Sequence, residues 1–177
     1  AAAAFEQAAP ELLLFVNLHP LELADEELYS PDAPLSLHAR RVVLEVTERA
    51  CLESIPDLPE RLRRLRELGF RIAIDDIGAG YSGLSNFVDL EPDVVKIDMS
   101  LTRGVDGSKA RRSVICALAK LCSESSITMI AEGVETAAER DTLVDLGCDQ
   151  LQGYFFARPG PPFAKVEPNS LRKLRLS

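Results

Sequence analysis

Residues 58–76 read LPERLRRLRELGFRIAIDD, and this stretch decides the fold class. One stripe of leucines recurs at helical spacing: Leu58, Leu62, Leu65 and Leu68. Arginines fill the opposite side of this predicted helix, and Gly69 supplies its C-terminal stop. The run FRIAID at residues 70–75 then has the near-continuous apolar character of a strand buried on both faces. A helix followed at once by a buried strand is typical of a parallel α/β sheet or barrel.

The same alternation recurs along the whole chain. It predicts six strands, at residues 12–17, 41–46, 70–75, 93–97, 127–131 and 149–153. Helical patterns at residues 108–126 and 136–146 lie between the later strands, and the second opens with a Thr136–Glu139 capping box. No internal repeat or low-complexity linker interrupts this order, so we predict one α/β domain spanning residues 1–177.

Composition and charge exclude several classes of protein. The formal net charge of −8 repels nucleic-acid backbones, so we predict a small phosphate ligand and no nucleic-acid partner. The chain has no apolar run long enough to cross a membrane and no signal-peptide pattern at residues 1–10, which predicts a cytoplasmic protein without membrane insertion. The four cysteines show no CxxC pairing and the two histidines lie away from them, so we expect neither a zinc site nor a disulfide framework.

Each predicted strand ends at or next to a polar side chain that a buried strand has no structural reason to carry. These side chains are Asn17, Glu45, Asp75 with Asp76, Lys96 with Asp98, Glu132 with Glu135, and Gln152. In parallel barrels and doubly wound sheets, the C-terminal strand ends and the loops after them form the ligand site. We therefore expect these groups to converge in space.

Several carboxylates in one pocket require cations to neutralise them. Oxygen ligands without histidine or cysteine suit Mg²⁺ or Mn²⁺, and the adjacent pair Asp75 and Asp76 favours two ions, one carboxylate bridging them. Lys96 is then placed to orient an attacking water. A two-metal site of this kind points first to phosphodiester hydrolysis, while aldol or enolase-type chemistry stays open on these residues alone.

Other residues near the strand ends have plainer interpretations. Asp98 is either the ion-pair partner of Lys96 or a turn-forming residue. His19, which precedes Pro20, is interpreted as a surface or capping residue. We interpret the glycine-rich segment 78–83 as a mobile lid rather than a phosphate cradle, because such a loop alone is weak evidence for phosphate binding.

Six short motifs now occur together in a characteristic order. They are NLHP from Asn17, LEVTE from Leu44, DDIGAGYS from Asp75, VKID from Val95, AEGVE from Ala131 and QGY from Gln152. By these motifs the chain resembles the EAL family. The resemblance implies a TIM-type (β/α) barrel that hydrolyses cyclic di-GMP to linear pGpG in bacterial second-messenger signalling, with Mg²⁺ or Mn²⁺ as cofactor. It further implies a homodimer and upstream sensory or regulatory domains in the full-length protein.

The resemblance also assigns metal ligands, motif by motif. It implies ligands of a first metal at Asn17, Glu45 and Asp75. It implies ligands of a second metal at Asp75, Asp76 and Glu132, so that Asp75 bridges the two ions.

The remaining assignments concern catalysis and substrate support. Lys96 would contact the nucleophilic water, and with Glu132 and Glu135 it makes up the implied catalytic group. Glu48 would anchor the lid loop; Glu48 and Glu135 each lie three residues after another glutamate, which on residue grounds favours a supporting role. The supporting set at the substrate site and lid is Gln152, Glu48, Gly78, Tyr81 and Ser82.

The chain departs from the family pattern at its N-terminal part and at two positions of the lid loop. The GluAlaLeu signature is absent from its 177 residues, and six strand units are visible where an eight-stranded barrel of ~250 residues is typical, so we expect a barrel incomplete at the N-terminus. Ile77 stands where the family usually has phenylalanine, and Gly83 where a second serine is common. The alternative function is therefore a catalytically impaired module that binds cyclic di-GMP or a protein partner as a receptor.

Overall fold

The computed structural model describes residues 12–47, 55–79 and 83–160. Six strands lie in these ranges: β1 Leu14–Asn17, β2 Val42–Thr47, β3 Arg71–Ile77, β4 Val94–Ile97, β5 Thr128–Ala131 and β6 Gln150–Leu151. All six predicted strands are confirmed, with ends displaced by no more than about two residues, as expected where hydrogen-bonding criteria set the bounds. The chain divides into two compact units, an N-terminal unit of residues 1–96 and a C-terminal unit of residues 97–177.

In the N-terminal unit, the strands follow one another in the order β1-β2-β3-β4. The pairs β1–β2 and β2–β3 are parallel, with Asn17 opposite Glu45 and Thr47 opposite Asp75. Strand β2 is buried over Val42–Val46, which accounts for its continuous apolar sequence. This register brings the C-terminal ends of three strands to one edge of the sheet.

In the part of this unit that the structure describes, two α-helices and three short 3₁₀ helices accompany the strands. Helix α1 spans Leu58–Leu68, and α2 spans Gly83–Leu90, a helix that the sequence patterns did not predict. The 3₁₀ helices lie at Pro20–Ala24, Glu26–Tyr29 and Ser36–Arg41. Of the predicted leucine stripe on α1, Leu58, Leu62 and Leu65 are buried and Leu68 is half-buried. Gly69 has a φ of 105° and its N–H donates to the Arg66 carbonyl at 2.9 Å, which ends the helix as predicted.

The C-terminal unit contains helices α3 Met99–Thr102, α4 Lys109–Glu124 and α5 Ala137–Asp145. The predicted helices at 108–126 and 136–146 are confirmed, and the hydroxyls of Ser108 and Thr136 cap α4 and α5. Strands β5 and β6 are parallel, with Ala131 opposite Leu151. The core of this unit includes Ile115, Met129 and Leu143, all fully buried. Among the described residues, no helix combines the length and apolarity needed to cross a bilayer.

Candidate metal and phosphodiester site

A buried ion-pair cluster lies at the strand ends of the N-terminal unit. The Lys96 ammonium, on β4, contacts Glu45 Oε1 from β2 and lies 3.0 Å from Asp75 Oδ1 from β3. The three side chains are 8%, 8% and 14% exposed, respectively. Removing these charges from water is costly, and their mutual attraction offsets that cost only while all of them are present. The Phe15 ring on β1 lies 5.9 Å from Lys96 Nζ and adds a cation–π contact.

Two further residues belong to this strand-end group: Asn17 by its register with Glu45, and Asp76 because it follows Asp75 in sequence. Asn17 ends β1 directly opposite Glu45, so the amide and the carboxylate stand on neighbouring strands. Asp76 has a φ of 63°, a left-handed conformation that is uncommon for a residue with a side chain. Its N–H donates to Asp75 Oδ1 at 3.0 Å, and its carbonyl accepts from the Ala79 N–H at 3.1 Å. The backbone strain therefore lies at Asp76, the second of the two adjacent aspartates that the sequence singles out.

The group has the chemistry of a site for hard divalent cations. Its donors are all oxygens, from one amide and three carboxylates: Asn17, Glu45, Asp75 and Asp76. Oxygen-only donor sets suit Mg²⁺, Mn²⁺ or Ca²⁺. Three carboxylates against the single Lys96 ammonium leave negative charge that a cation would neutralise. The residues thus fit a divalent ion.

In the C-terminal unit, Glu132 directly follows β5 and its N–H donates to the Ile97 carbonyl at 3.0 Å. The next residue, Gly133, has a φ of 71°, and a Cβ there would overlap the Met99 Cβ, so glycine is required. Further along, the Val134 N–H donates to the Gln152 carbonyl at 3.0 Å. Backbone hydrogen bonds therefore hold the loop after β5, and they fix the main chain at Glu132.

A second anchor of this loop is the buried carboxylate of Glu139, whose residue is 6% exposed. It accepts hydrogen bonds from the N–H groups of Glu135 at 2.9 Å, Thr136 at 3.0 Å and Gly104 at 2.9 Å. Burial by itself raises the pKa of Glu139, but these amides and the Thr136 hydroxyl stabilise the charged form and hold its pKa below the usual value. The predicted capping box is confirmed, and its glutamate also binds a distant loop at Gly104.

The two supporting residues of this unit are more exposed. The Glu135 side chain forms an ion pair with Arg103 and is 41% exposed. Gln152 is exposed, and its N–H donates to the Ala131 carbonyl at 2.8 Å. Gly78 is also exposed and has a φ of 104°. Glu48, Tyr81 and Ser82, which the resemblance assigned to the lid and substrate site, lie outside the described residues.

The structure bears on the interpretations of Asp98 and His19. The Asp98 side chain accepts from the Ser100 N–H at 2.9 Å and caps α3, so this residue does form a turn. His19 Nδ1 accepts from the Leu21 N–H at 3.2 Å, which confirms the capping interpretation. The sequence analysis missed the contact of Phe15 with Lys96 and that of Arg103 with Glu135. In the sequence, Phe15 looks like any aromatic residue of a core strand, and Arg103 belongs to none of the quoted motifs. No sequence signal could therefore have identified either contact.

Comparisons with known proteins identify the family and the fold of the chain. The chain matches the EAL domain model over residues 1–159. The cyclic di-GMP phosphodiesterase RocR of Pseudomonas aeruginosa is 32% identical over 159 residues, which cover 88% of this chain and 41% of RocR. The chain thus spans less than half the length of that relative.

Solved structures show the same similarity. The calcium and cyclic di-GMP complex of Klebsiella pneumoniae BlrP1 matches with a TM-score of 0.82 and 32% identity, over 93% of this chain and 43% of BlrP1. The manganese and cyclic di-GMP complex of BlrP1 matches with a TM-score of 0.78 and 34% identity, over 89% of this chain and 42% of BlrP1. The chain has the α/β fold of these TIM-type barrel domains, of which the described residues supply six strands, and it belongs to the EAL domain family.

Proposed function

We propose that this chain hydrolyses cyclic di-GMP to linear pGpG with bound Mg²⁺ or Mn²⁺. The observation that carries the proposal is the buried contact of Lys96 with Glu45 and Asp75 at aligned strand ends. A scaffold role does not explain three buried charges there, because apolar residues of similar volume would stabilise the sheet equally well. The phosphodiesterase activity for which RocR is named and the cyclic di-GMP bound to BlrP1 support the choice of substrate.

The proposed metal ligands divide into two overlapping sets. We assign Asn17, Glu45 and Asp75 to a first ion, and Asp75, Asp76 and Glu132 to a second. Two such ions would stabilise the attacking and the leaving oxygens of a phosphodiester. The left-handed backbone at Asp76 breaks the regular alternation of the strand, so the adjacent aspartates need not point to opposite faces.

Lys96 is the proposed catalytic residue of the N-terminal unit. The Lys96 ammonium forms ion pairs with Glu45 and Asp75, which hold it at the strand ends. A donor held in this way can orient the attacking water toward phosphorus without losing side-chain freedom on substrate binding. We therefore expect loss of Lys96 to lower kcat far more than it raises KM.

The other assignments follow from the family motifs. We propose Glu132 and Glu135 as catalytic partners in the C-terminal unit, with Gln152 and Gly78 as substrate support. The roles of Glu48, Tyr81 and Ser82 in the lid stay predictions, as do one domain over residues 1–177, a homodimer, upstream regulatory domains and a cytoplasmic location.

A hydrolysis assay with cyclic di-GMP and Mg²⁺ or Mn²⁺ tests the proposal. We expect pGpG production to require metal and to fall at least about a hundredfold in Asp75→Asn and Lys96→Met. Asp89→Asn, which changes an exposed carboxylate on α2, is the matched control and should retain activity. Binding of cyclic di-GMP without turnover would instead make the chain a receptor. A protein that neither binds nor hydrolyses cyclic di-GMP would overturn the proposal.

A further inference from the structure

The ion pair between Arg103 and Glu135 is not explained by stability. Their side chains are 48% and 41% exposed, and pairs with this exposure contribute at most about 1 kcal/mol. Both groups can nevertheless be reached from solvent, at loops that follow the C-terminal ends of β4 and β5. The pair therefore has the accessibility of a ligand-facing contact rather than that of a core contact.

The backbone beneath the pair is fixed. The Arg103 N–H donates to the Met99 carbonyl at 2.9 Å and ends α3. Glu139 then accepts from the N–H groups of Gly104 and Glu135, each at 2.9 Å, through its two carboxylate oxygens. One buried carboxylate thus holds the residue next to Arg103 and the backbone of Glu135. Because the main chain is already ordered, pairing of the two side chains costs rotamer freedom but little further backbone freedom.

The charge on this loop would oppose binding of an anion. Glu132 and Glu135 lie three residues apart after β5 and together present two negative charges. The Arg103 guanidinium neutralises one of them. We propose that Arg103 is a positioning residue, which neutralises and orients Glu135 so that the loop after β5 accepts an anionic phosphodiester group of the cyclic dinucleotide. This inference rests on the proposed function, because it concerns the same substrate.

Affinity for cyclic di-GMP, measured by titration calorimetry with Ca²⁺, tests the inference in four proteins: wild type, Arg103→Gln, Glu135→Gln and the double variant. We expect Arg103→Gln to weaken binding about fivefold, the size of one exposed ion pair. In the Glu135→Gln background the same change should have an effect below about twofold, because no carboxylate remains to be neutralised. Arg103→Lys should bind about as tightly as wild type, because lysine keeps the positive charge.

The melting temperature and a matched control variant distinguish a positioning role of Arg103 from a purely structural one. Lys120→Gln removes an exposed cation that pairs with Glu124 at 3.8 Å on α4, and it should leave affinity and melting temperature unchanged. Arg103→Gln should also leave the melting temperature unchanged while affinity falls. Wild-type affinity in Arg103→Gln would overturn this inference but not the proposed function. An equal loss of affinity in both backgrounds would also overturn it, because Arg103 would then contact the substrate directly. A wild type that neither binds nor hydrolyses cyclic di-GMP would overturn the proposed function and this inference together.

Discussion

Replacing Lys96 with methionine tests the charge balance at the strand ends. Methionine approximates the apolar stem of lysine but removes the ammonium, which leaves Glu45 and Asp75, 8% and 14% exposed, as neighbouring buried anions. Breaking a buried ion pair from one side costs about 3–5 kcal/mol. For a chain of 177 residues, this loss corresponds to a fall of roughly 10 °C in melting temperature. We expect a loss of this size in metal-free protein.

Urea unfolding in the presence of EDTA measures the loss as a free energy of unfolding. Lys120→Met is the matched control, because its ammonium is 76% exposed, and it should change that free energy by less than about 1 kcal/mol. Adding Glu45→Gln to Lys96→Met removes one of the two like charges and should recover a large part of the loss. Saturating Mn²⁺ should also stabilise Lys96→Met more than wild type, because the ion replaces the missing cation. Equal losses in Lys96→Met and Lys120→Met would refute the reasoning.

Three further predictions follow from the loop anchors and from burial. The pKa of Glu139 is lower in the folded protein, so its carboxylate stabilises the fold above the ordinary pKa of 4.5, and this stabilisation is lost as the pH falls below that value. We therefore expect Glu139→Gln to lower the free energy of unfolding, measured with urea, by about 1–2 kcal/mol at pH 7. The difference from wild type should shrink toward pH 3. Gly133→Ala should destabilise by more than about 2 kcal/mol in the same assay, whereas Gly160→Ala, with nothing within 4 Å of an added Cβ, should not. Burial raises the pKa of the Cys148 thiol to about 12, so a thiol reagent at pH 8 should modify exposed Cys116 rapidly and Cys148 only on unfolding.

Much of the architecture was predictable because it depends on local patterns. Buried parallel strands need continuous apolar runs, so β2 and β3 are visible in the sequence without any tertiary information. Helix ends are also local, since Gly69 and the Thr136 capping box act within a few residues of the backbone they bind. Helix α2 was missed because the glycine-rich segment before it suggests a loop. Motif order then identified the family, because six short motifs in sequence are far more specific than any one of them.

The site, unlike these local features, depends on contacts between residues that are distant in sequence. The sequence alone determined which residue types end each strand, and hence that oxygen ligands and one lysine were available for a divalent-metal site. The contacts of Lys96 with Glu45 and Asp75, which come from two other strands, were decided only by tertiary structure. The same holds for Glu139, whose capping role is local but whose contact with Gly104 spans 35 positions. The physical reason is that strand register and loop packing bring together residues distant in sequence, and a one-dimensional pattern carries no record of which of them will meet.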